Sequence, residues 1–534
     1  MRSKTVALTL LCAMLVPTFG QTVREPYPVK RPESVDTWRA DGLAAIERAK
    51  AEKPNKKRAK NVILFVGDGM GISTLTAARI FEGQRRGESG EENRLSFENF
   101  PYSALSKTYN TNQQTSDSAP TMSAIITGVK TDEGILSVDQ RVVRGDYSSV
   151  AGHETKTLLE MAEENGMSTG IVSTARVTHA TPGACYAHTA DRNWESDADI
   201  KKRSKAAYEA GFPDIAAQLL AFKYGDGIDV VLGGGRSKFL RQDQADPEYP
   251  EKRGERLDGR DLAAEWQKKY RDSAYVWDKK GFDAIDTAKT KHLLGLFEPG
   301  YMQYESERKE DRAGEPSLAE MAAKAVDILS YNKKGYFLMV EGGRIDHGHH
   351  DGNAYRALSE TVALSDAVRT VSQKVNLNET LIVVTADHSH TMVIQGYPAR
   401  GNDILGLVRE VGPDGSLRPS YKKDKLGLPY TTLSYANGKG YQGASDTQPE
   451  GPKKCCGEAK SFEPLKNGRR DLTNVDTTDK DYLQEAMIPL SGETHGGEDV
   501  AVFAVGPNAY LFRGSMEQNW IFYVMADALR LGNR

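Results

Sequence analysis

Cysteine is scarce in this chain, with four in 534 residues. Cys12 falls in an N-terminal apolar segment, which leaves Cys185 and the adjacent pair Cys455 and Cys456. So few cysteines exclude a disulfide framework as the basis of the fold, and the absence of CxxC spacing argues against a cysteine zinc site. Because adjacent cysteines bridge each other only with strain, we expect thiols at these three positions.

The chain also lacks an excess of charge of one sign. Its 70 Lys and Arg residues nearly balance 74 Asp and Glu residues, for a formal net charge of −4. This balance gives no global basic field, so neither nucleic acid nor an anionic membrane surface is an expected partner. A small anionic substrate would therefore need local positive charge.

Long apolar runs are missing after the first twenty residues. No later run could span a bilayer, and the C-terminal LRLGNR carries no hydrophobic tail for exchange with a lipid anchor. The N-terminus has two basic residues, an apolar stretch over 6–16, and then the small residues Thr18 and Gly20. This pattern predicts a signal peptide over residues 1–20, and hence a secreted or periplasmic protein without a membrane anchor.

What the sequence does contain is a series of short apolar runs separated by amphipathic stretches. The runs are NVILFVGD (61–68), STGIVST (168–174), DVVLGGG (229–235), YFLMVEGG (336–343), TLIVVTADH (380–388) and VAVFAVGP (500–507). With a helical pattern at 35–53 before them and another at 317–329 among them, they predict an α/β fold with a mostly parallel central sheet flanked by helices. We expect one domain over residues 21–534, with a charged excursion at about 236–315 and an insertion at about 400–490.

Carboxylates and histidines gather at the ends of these runs. They are Asp68 after the first run, Glu341, Asp346 and His350 after the fourth, Asp387 and His388 after the fifth, and His495 before the last. Such ends converge on one crevice in a parallel sheet, where buried carboxylates without a cation would become neutral. Histidine and aspartate ligands without cysteine suit zinc, and all-oxygen ligands suit magnesium, so the pattern predicts two zinc ions and one magnesium ion.

A candidate nucleophile stands in TNQQTSDSAPTMSAIITG (111–128). Ser118 begins a predicted helix that has Pro120 in its first turn and Gly128 at its end. The free N–H groups of a helix N-terminus favour a phosphate or a developing anion. Taken alone, the segment also fits a helix cap formed by Ser116, Asp117 or Ser118, but the metal pattern favours the nucleophile.

Six segments together resemble one enzyme family. GDGMG, TSDSAPTMSAI, TPGACYAHTADRNW, VEGGRIDHGHH, TADHSH and GETHGGEDVAVF are similar to motifs of the zinc-dependent alkaline phosphatases, and closer to the animal type than to the enterobacterial type. The resemblance extends from about Trp38 to Pro507 and is weakest between about 400 and 490. It implies hydrolysis of phosphate monoesters through a phosphoserine, with an alkaline optimum, in a homodimer whose crown insertion corresponds to 400–490.

The resemblance also implies a role for each matching residue. Asp346, His350 and His495 would hold one zinc ion, Asp68, Asp387 and His388 the other, and Asp68, Thr181 and Glu341 the magnesium ion, with Ser118 as nucleophile and Arg192 as the clamp on substrate phosphate. His179, His347 and His390 would lie near the phosphate or behind the ligands, and the first two stand where enterobacterial enzymes carry an aspartate and a lysine. The chain lacks the usual disulfide cysteines and lipid-anchor tail of the animal enzymes.

A fourth metal, calcium, is implied in the excursion at about 236–315, where DPEYP, YVW, LFEPG and EPSLAEM resemble the segments of the animal calcium site. The ligands would be the carboxylates of Glu248, Glu298 and Glu315 and the backbone carbonyls of Trp277 and Phe297. Glu315 is one methylene longer than the family's aspartate. The alternative is that these glutamates are solvated surface side chains in a charge-rich loop.

Three other functions compete with this interpretation. A sulfatase of the same superfamily would need an arginine where Met122 stands, and a phosphodiesterase or phosphomutase relative would differ in its preference for monoesters over diesters. A noncatalytic metal-binding protein would need neither Ser118 nor Arg192. The sequence therefore favours the phosphatase.

Overall fold

A computed structural model of the protein describes residues 23–455 and 457–531. The predicted signal peptide and Cys456 lie outside these residues. The helices are Val35–Ala51 (α1), Ile72–Arg85 (α2), Ser118–Thr127 (α3), Leu158–Glu164 (α4), Ala180–Gly183 (α5), Asp197–Arg203 (α6), Lys205–Glu209 (α7), Ile215–Ala221 (α8), Leu262–Lys269 (α9), Lys279–Asp283 (α10), Leu318–Leu329 (α11), Arg344–His350 (α12), Ala354–Lys374 (α13) and Trp520–Leu529 (α14).

The strands lie between these helices in the first part of the chain, and β8 to β17 then follow one another between α13 and α14. They are Asn61–Gly67 (β1), Tyr102–Lys107 (β2), Ser168–Arg176 (β3), Val230–Gly234 (β4), Ser273–Val276 (β5), His292–Leu296 (β6), Tyr336–Gly342 (β7), Thr380–Ala386 (β8), Ser389–His390 (β9), Met392–Ile394 (β10), Leu433–Gly438 (β11), Lys453–Lys454 (β12), Tyr482–Leu483 (β13), Ala486–Pro489 (β14), His495–Gly496 (β15), Val500–Val505 (β16) and Ser515–Glu517 (β17).

Ten strands form one central sheet, in the order β17-β2-β16-β8-β1-β7-β3-β4-β6-β5. Only β16 runs antiparallel to its neighbours, β2 and β8. The mostly parallel sheet is confirmed, and each of the six predicted strands belongs to it. The sequence analysis missed β2, β5, β6 and β17, of which β5 and β6 come from the excursion at 236–315.

Both faces of the sheet are buried, which explains why its central strands are apolar without alternation. Along β1, Val62 and Leu64 pack into a core cluster shared with α3 and α14, whereas Ile63 and Phe65 pack into a second cluster shared with α2, α11 and α13. The sheet thus forms the middle layer between two layers of helices.

The segment at 400–490 contributes no described strand to the central sheet. Its strands form smaller sheets, β10-β11-β14 and β12-β13. Cys455 in this segment is disulfide-bonded, so the expectation of a thiol there is wrong. Cys185 is a free, buried thiol, as expected. Among the described residues, the helices are all too short or too polar to cross a membrane.

Candidate metal and phosphate site

The sheet order brings the predicted ligand-bearing strand ends side by side. Strands β8, β1 and β7 are consecutive neighbours. Gly67 of β1 pairs with Ala386 of β8, so Asp68 and Asp387 leave adjacent strands at the same level. Glu341 pairs with Val66 across β1 and β7, and α12 follows directly with Asp346. The four carboxylates therefore come from adjacent elements at one edge of the sheet.

Three histidines surround the carboxylate of Asp346. From Asp346 Oδ1, the Nε2 atoms of His390, His350 and His495 lie at 2.9, 3.2 and 3.3 Å. The ligand atoms of all four residues lie within 4.8 Å of one another. This is the arrangement that a tetrahedral cation site needs.

The far nitrogen of each ring is held by an oxygen acceptor. His495 Nδ1 lies 2.7 Å from the Ser116 carbonyl, and His350 Nδ1 lies 2.5 Å from the Glu493 carbonyl. His390 Nδ1 lies 2.6 Å from the Glu493 carboxylate. An acceptor at Nδ1 holds a ring proton there, which leaves Nε2 of His350 and His495 as the nitrogen that a cation would use. Burial alone would lower the pKa of His390, but the Glu493 and Asp346 carboxylates raise it to about 10, so its ring donates to both of them.

His390 lies closer to the metal ligands than the sequence analysis indicated. It is two residues after His388, and strand positions two apart face the same side. That spacing was the available signal in TADHSH. Glu493, which bonds both His390 and Thr391, was missed although it lies in GETHGGEDVAVF, two residues before His495.

A second group contains the predicted nucleophile. His388 Nε2 lies 3.3 Å from both Asp68 Oδ1 and Asp387 Oδ2. Ser118 Oγ lies 3.1 Å from His388 Nε2 and 3.3 Å from Asp68 Oδ1. All four side chains are buried. The rings of His388 and His495 stack with centroids 3.6 Å apart, so the two groups adjoin.

The cap of α3 is made by Asp117, not by Ser118. Asp117 is the N-cap, and its carboxylate accepts a hydrogen bond from Ala119 N. Gly128 ends the helix with φ 77°. Because Asp117 performs the capping, the Ser118 hydroxyl is free to face His388 and Asp68, and the capping alternative for Ser118 is wrong.

The third group consists of oxygen atoms without hydrogen-bond partners. Asp68 Oδ2, Thr181 Oγ1 and Glu341 Oε1 are each buried and unbonded within the described chain. Ligand atoms of Asp68, Glu341 and His179 lie within 4.8 Å of one another. Unpartnered buried oxygens are costly, and a hard cation such as magnesium is the partner that suits them.

The carboxylates of the site repel one another in the absence of a cation. Burial and the nearby charges of Asp387, Asp346 and Glu341 raise the pKa of Asp68 well above its ordinary value. Burial likewise raises the pKa of Glu341 to about 7. Burial alone would also raise the pKa of Asp346, but its histidine partners hold that pKa well below the usual range. Bound cations would allow all of them to ionise.

Arg192 lies beside the start of α3. Its Nη1 donates to Asp117 Oδ2 at 3.0 Å, and its Nη2 lies 3.1 Å from His179 Nε2. Burial and the charges of Arg192 and Arg176 lower the pKa of His179 to about 3, so its ring is neutral. Its Nε2 therefore accepts the hydrogen bond from Arg192. Two partners therefore orient the guanidinium plane next to Ser118.

His347 borders the same space. Burial and the neighbouring Arg344 lower the pKa of His347 well below its ordinary value. Its Nδ1 lies 3.0 Å from Arg344 Nη1, and its Nε2 lies 4.0 Å from Asp346 Oδ2. His347 is therefore a neutral ring between Arg344 and the metal group.

A separate acidic group lies in the excursion at 236–315. Ligand atoms of Glu248, Glu298 and Asp311 lie within 4.8 Å of one another. Glu248, Glu298 and Glu315 are all buried, so the alternative of solvated surface glutamates is wrong. The sequence analysis missed Asp311. In the structure, both of its carboxylate oxygens are buried and have no hydrogen-bond partner among the described residues. Its neighbours in sequence are charged surface residues, which concealed it.

The other predicted calcium ligands surround this acidic group less directly. Glu315 Oε1 accepts from Gln303 N at 3.0 Å, and its Oε2 has no partner among the described residues. The Trp277 carbonyl accepts from Arg236, which also pairs with Glu248. Phe297 is buried next to Glu298, just after β6. Oxygen-only donors suit calcium.

The chain is similar to known proteins over nearly its whole length. The family profile described as "Alkaline phosphatase" matches residues 59–531. An alkaline phosphatase of Gadus morhua is 42% identical over 513 residues, covering 95% of this chain and 99% of that protein. The tissue-nonspecific isozyme of Homo sapiens is 41% identical over 530 residues, covering 98% of this chain and 94% of the isozyme.

Two solved structures share the fold. The Thermus thermophilus alkaline phosphatase superimposes with a TM-score of 0.62 at 23% identity, covering 91% of this chain and 94% of that one. The enzyme from the Antarctic bacterium TAB5 gives a TM-score of 0.57 at 21% identity, covering 90% and 100%. At these identities the likeness shows a common fold.

Proposed function

Since the chain belongs to the alkaline phosphatase family, and is therefore an enzyme that hydrolyses phosphate monoesters, we propose that Ser118 is its nucleophile. The observation that carries the proposal is the position of Ser118 Oγ, 3.1 Å from His388 Nε2 and 3.3 Å from Asp68 Oδ1, beside three buried oxygens without partners. A hydroxyl at a helix start among cation ligands is set up for attack on phosphorus.

The reaction proceeds in two displacements. Ser118 Oγ loses its proton and attacks phosphorus in line, the ester P–O bond breaks, and the alcohol leaves with a proton. Water then attacks the phosphoserine, the P–Oγ bond breaks, and Ser118 regains a proton as inorganic phosphate departs. Two inversions give net retention at phosphorus.

Three metal ions would complete this site. Asp346, His350 and His495 would hold one zinc ion, Asp68, Asp387 and His388 the second, and Asp68, Thr181 and Glu341 a magnesium ion. When bound, the cations would lower the pKa of the attacking hydroxyl and stabilise charge on the entering and leaving oxygens, which favours an alkaline optimum. His390 would orient Asp346 by its 2.9 Å hydrogen bond.

Arg192 would bind the nonbridging phosphate oxygens. Its fork is fixed by Asp117 and His179, so little side-chain entropy is lost when phosphate binds. His179 and His347 would exclude water from this side while remaining neutral.

Calcium would occupy the separate acidic group of the excursion at 236–315 as a structural ion. Glu248 and Glu298 would be ligands together with Glu315 and the carbonyls of Trp277 and Phe297, and the position of Asp311 supports its inclusion. Arg236 offsets part of the negative charge, since it pairs with Asp246 and Glu248.

The first twenty residues indicate the cellular location of the enzyme. The basic and apolar pattern of residues 1–20 supports a cleaved signal peptide and a secreted or periplasmic enzyme. The remaining residues would form one domain, with the segment at about 400–490 as its crown insertion.

Helix α1 supports a homodimer. It has no buried residue, and Asp41, Ala45 and Arg48 face the body across a cavity of about 920 Å³. The apolar Leu43 and Ile46 are 66% and 52% exposed on the side turned away from that cavity. An apolar stripe facing outward needs a partner, and a second copy of the chain would provide one.

The nucleophile can be tested by Ser118→Ala. We expect kcat/KM for a chromogenic phosphate monoester to fall on the order of a thousandfold or more, because the covalent route is lost. Acid quenching after incubation with a radiolabelled phosphate ester should trap label on the wild-type protein and none on the variant. Zinc and magnesium contents should be unchanged.

Ser123→Ala is the matched control. Ser123 lies on the same helix, but its hydroxyl donates to the Ala119 carbonyl and accepts from Ser137 N, facing away from the site. It should retain turnover and label. Wild-type turnover by the Ser118 variant, or inversion at a chiral phosphorus, would remove Ser118 from the mechanism.

A further inference from the structure

Arg344 is a half-buried arginine next to the metal groups, and it forms no ion pair with a carboxylate of the described residues. Its backbone N–H donates to Thr174 Oγ1 at 3.2 Å, and its Nη1 lies 3.0 Å from His347 Nδ1. Its Nε is buried without an acceptor. Within residues 23–455 and 457–531, no Asp or Glu oxygen lies within ion-pair distance of its guanidinium.

The two other arginines of this rim are neutralised. Arg176 forms a bidentate pair with Glu195, at 2.7 and 2.6 Å. Arg192 pairs with Asp117 at 3.0 Å. Arg344 thus adds a positive charge that no ion pair among the described residues neutralises, and the buried Glu360 interacts with it only at longer range. A guanidinium taken partly out of water is stabilised by an anion, and the fork geometry favours carboxylate or phosphate.

Two tyrosines hold the plane of Arg344. Its guanidinium carbon lies 3.7 Å from the ring centroid of Tyr304 and 5.3 Å from that of Tyr301. Tyr304 is itself anchored, because its hydroxyl donates to Asp351 at 3.2 Å. With its faces against aromatic rings, the guanidinium can offer only its N–H edge, so its orientation is specified before any ligand arrives.

Tyr301 connects Arg344 to the phosphate side of the site. Its ring centroid lies 4.1 Å from that of His347 and 5.7 Å from that of His179. His179 in turn bonds Arg192. One partly exposed aromatic ring therefore spans the distance between the predicted phosphate clamp and the unpaired guanidinium.

We propose that Arg344, positioned by Tyr301 and Tyr304, binds a second anionic group on the alcohol portion of the substrate. The preferred substrate class is then a phosphate monoester that carries a carboxylate or another phosphate. A single imidazole, that of His347, separates Arg344 from Asp346, so the second anion must lie only a few bonds from the scissile ester. The inference rests on the proposed placement of the reacting phosphate at Ser118.

The test compares substrates that carry a second anionic group with counterparts that lack it. One pair is a (carboxymethyl)phenyl phosphate and its methyl ester, and the other is glucose 1,6-bisphosphate and glucose 6-phosphate. We expect the wild-type kcat/KM to favour the charged member of at least one pair by about tenfold, which is the effect of one charge-assisted hydrogen bond. The pair with the larger preference tells carboxylate from phosphate. Added salt should reduce the preference.

Arg344→Gln should abolish the preference, and Arg344→Lys should retain part of it, because the lysine keeps the charge without the fork. The readout is the ratio of kcat/KM between the two members of a pair. If the substitution disturbs His347 and slows both reactions equally, that ratio does not change. Lys439→Gln is the matched control. Lys439 lies beside the other end of α12, where its ammonium is already paired with Asp351 at 2.6 Å. Its ratio should equal that of the wild type.

The outcomes separate the two proposals. If the wild type hydrolyses the two members of each pair with equal kcat/KM, the subsite does not exist while the phosphatase site stands. If Arg344→Gln lowers both members of each pair alike, Arg344 is only structural and the proposal is overturned. If Ser118→Ala hydrolyses the esters as well as the wild type does, the site and the subsite both fail.

Discussion

Arg192 is fixed for phosphate binding by its contacts with Asp117 and His179. In Arg192→Ala we expect the inhibition constant for inorganic phosphate, and KM with it, to rise by about ten- to a hundredfold, the effect of losing a charge-assisted bidentate contact. Zinc content should not change. Arg144→Ala is the control, since the Arg144 guanidinium is bonded to Glu133. Equal phosphate inhibition in both variants would contradict the clamp.

Glu341 offers a sharper test, because the chain contains a comparable glutamate elsewhere. Glu341 and Glu360 are both buried, and burial raises the pKa of each to about 7. Glu341→Gln should deplete magnesium, since an amide replaces the anionic ligand, whereas Glu360→Gln should retain it. Mass spectrometry of metals in the purified proteins decides this. Normal magnesium in the Glu341 variant would refute the assignment.

The excursion at 236–315 contributes strands β5 and β6 and the second acidic group. Burial raises the pKa of Glu315 to about 9 and that of Glu298 to about 7, from an ordinary value of 4.5. Without a cation, these carboxyls stay protonated in the folded chain at pH values where the unfolded chain has released the protons. The free energy of unfolding should therefore fall as pH rises from about 4.5 to about 9.

Calcium should oppose this fall, because it stabilises the ionised carboxylates. Calorimetry at about pH 5 and about pH 9, with calcium or with a chelator selective for it, should show a rise in Tm of several degrees that is larger at the higher pH. Glu315→Gln should weaken both the pH dependence and the calcium response. Identical Tm values with and without calcium at the higher pH would discard the site.

Strands and ligands differ in how far the sequence predicts them. The six apolar strands could be predicted because burial on both faces requires unbroken apolar runs. The edge strands β5 and β17 could not, nor could β2 beside β17, since solvent contact allows mixed residues such as YSALSK in β2. Predicted ligands lay at strand ends, whereas Asp311 and Glu493 lie in loops whose approach depends on tertiary structure.

For the whole molecule, the open question is the partner of α1. Leu43→Glu combined with Ile46→Glu should convert a dimer to a monomer, because charges would replace the apolar stripe. Sedimentation equilibrium gives the mass. Val143→Glu is the control, since Val143 is 61% exposed outside the helix. A monomeric wild type, or a dimer that survives the double substitution, would show that the stripe is not the interface.

The pairing of β9 with β15 has an evolutionary consequence. His390 pairs with His495 in register, and the 2.6 Å contact of His390 with Glu493 joins positions 103 apart in the chain. The segment between them, residues 391–492, therefore begins and ends at this one pair of contacts. The entropy of closing such a loop grows only logarithmically, by about 0.6 kcal/mol for each doubling of length. The intervening segment could thus be lengthened, shortened or replaced during evolution, which would create new surfaces for partners. The side chains of the catalytic centre would keep nearly the same positions.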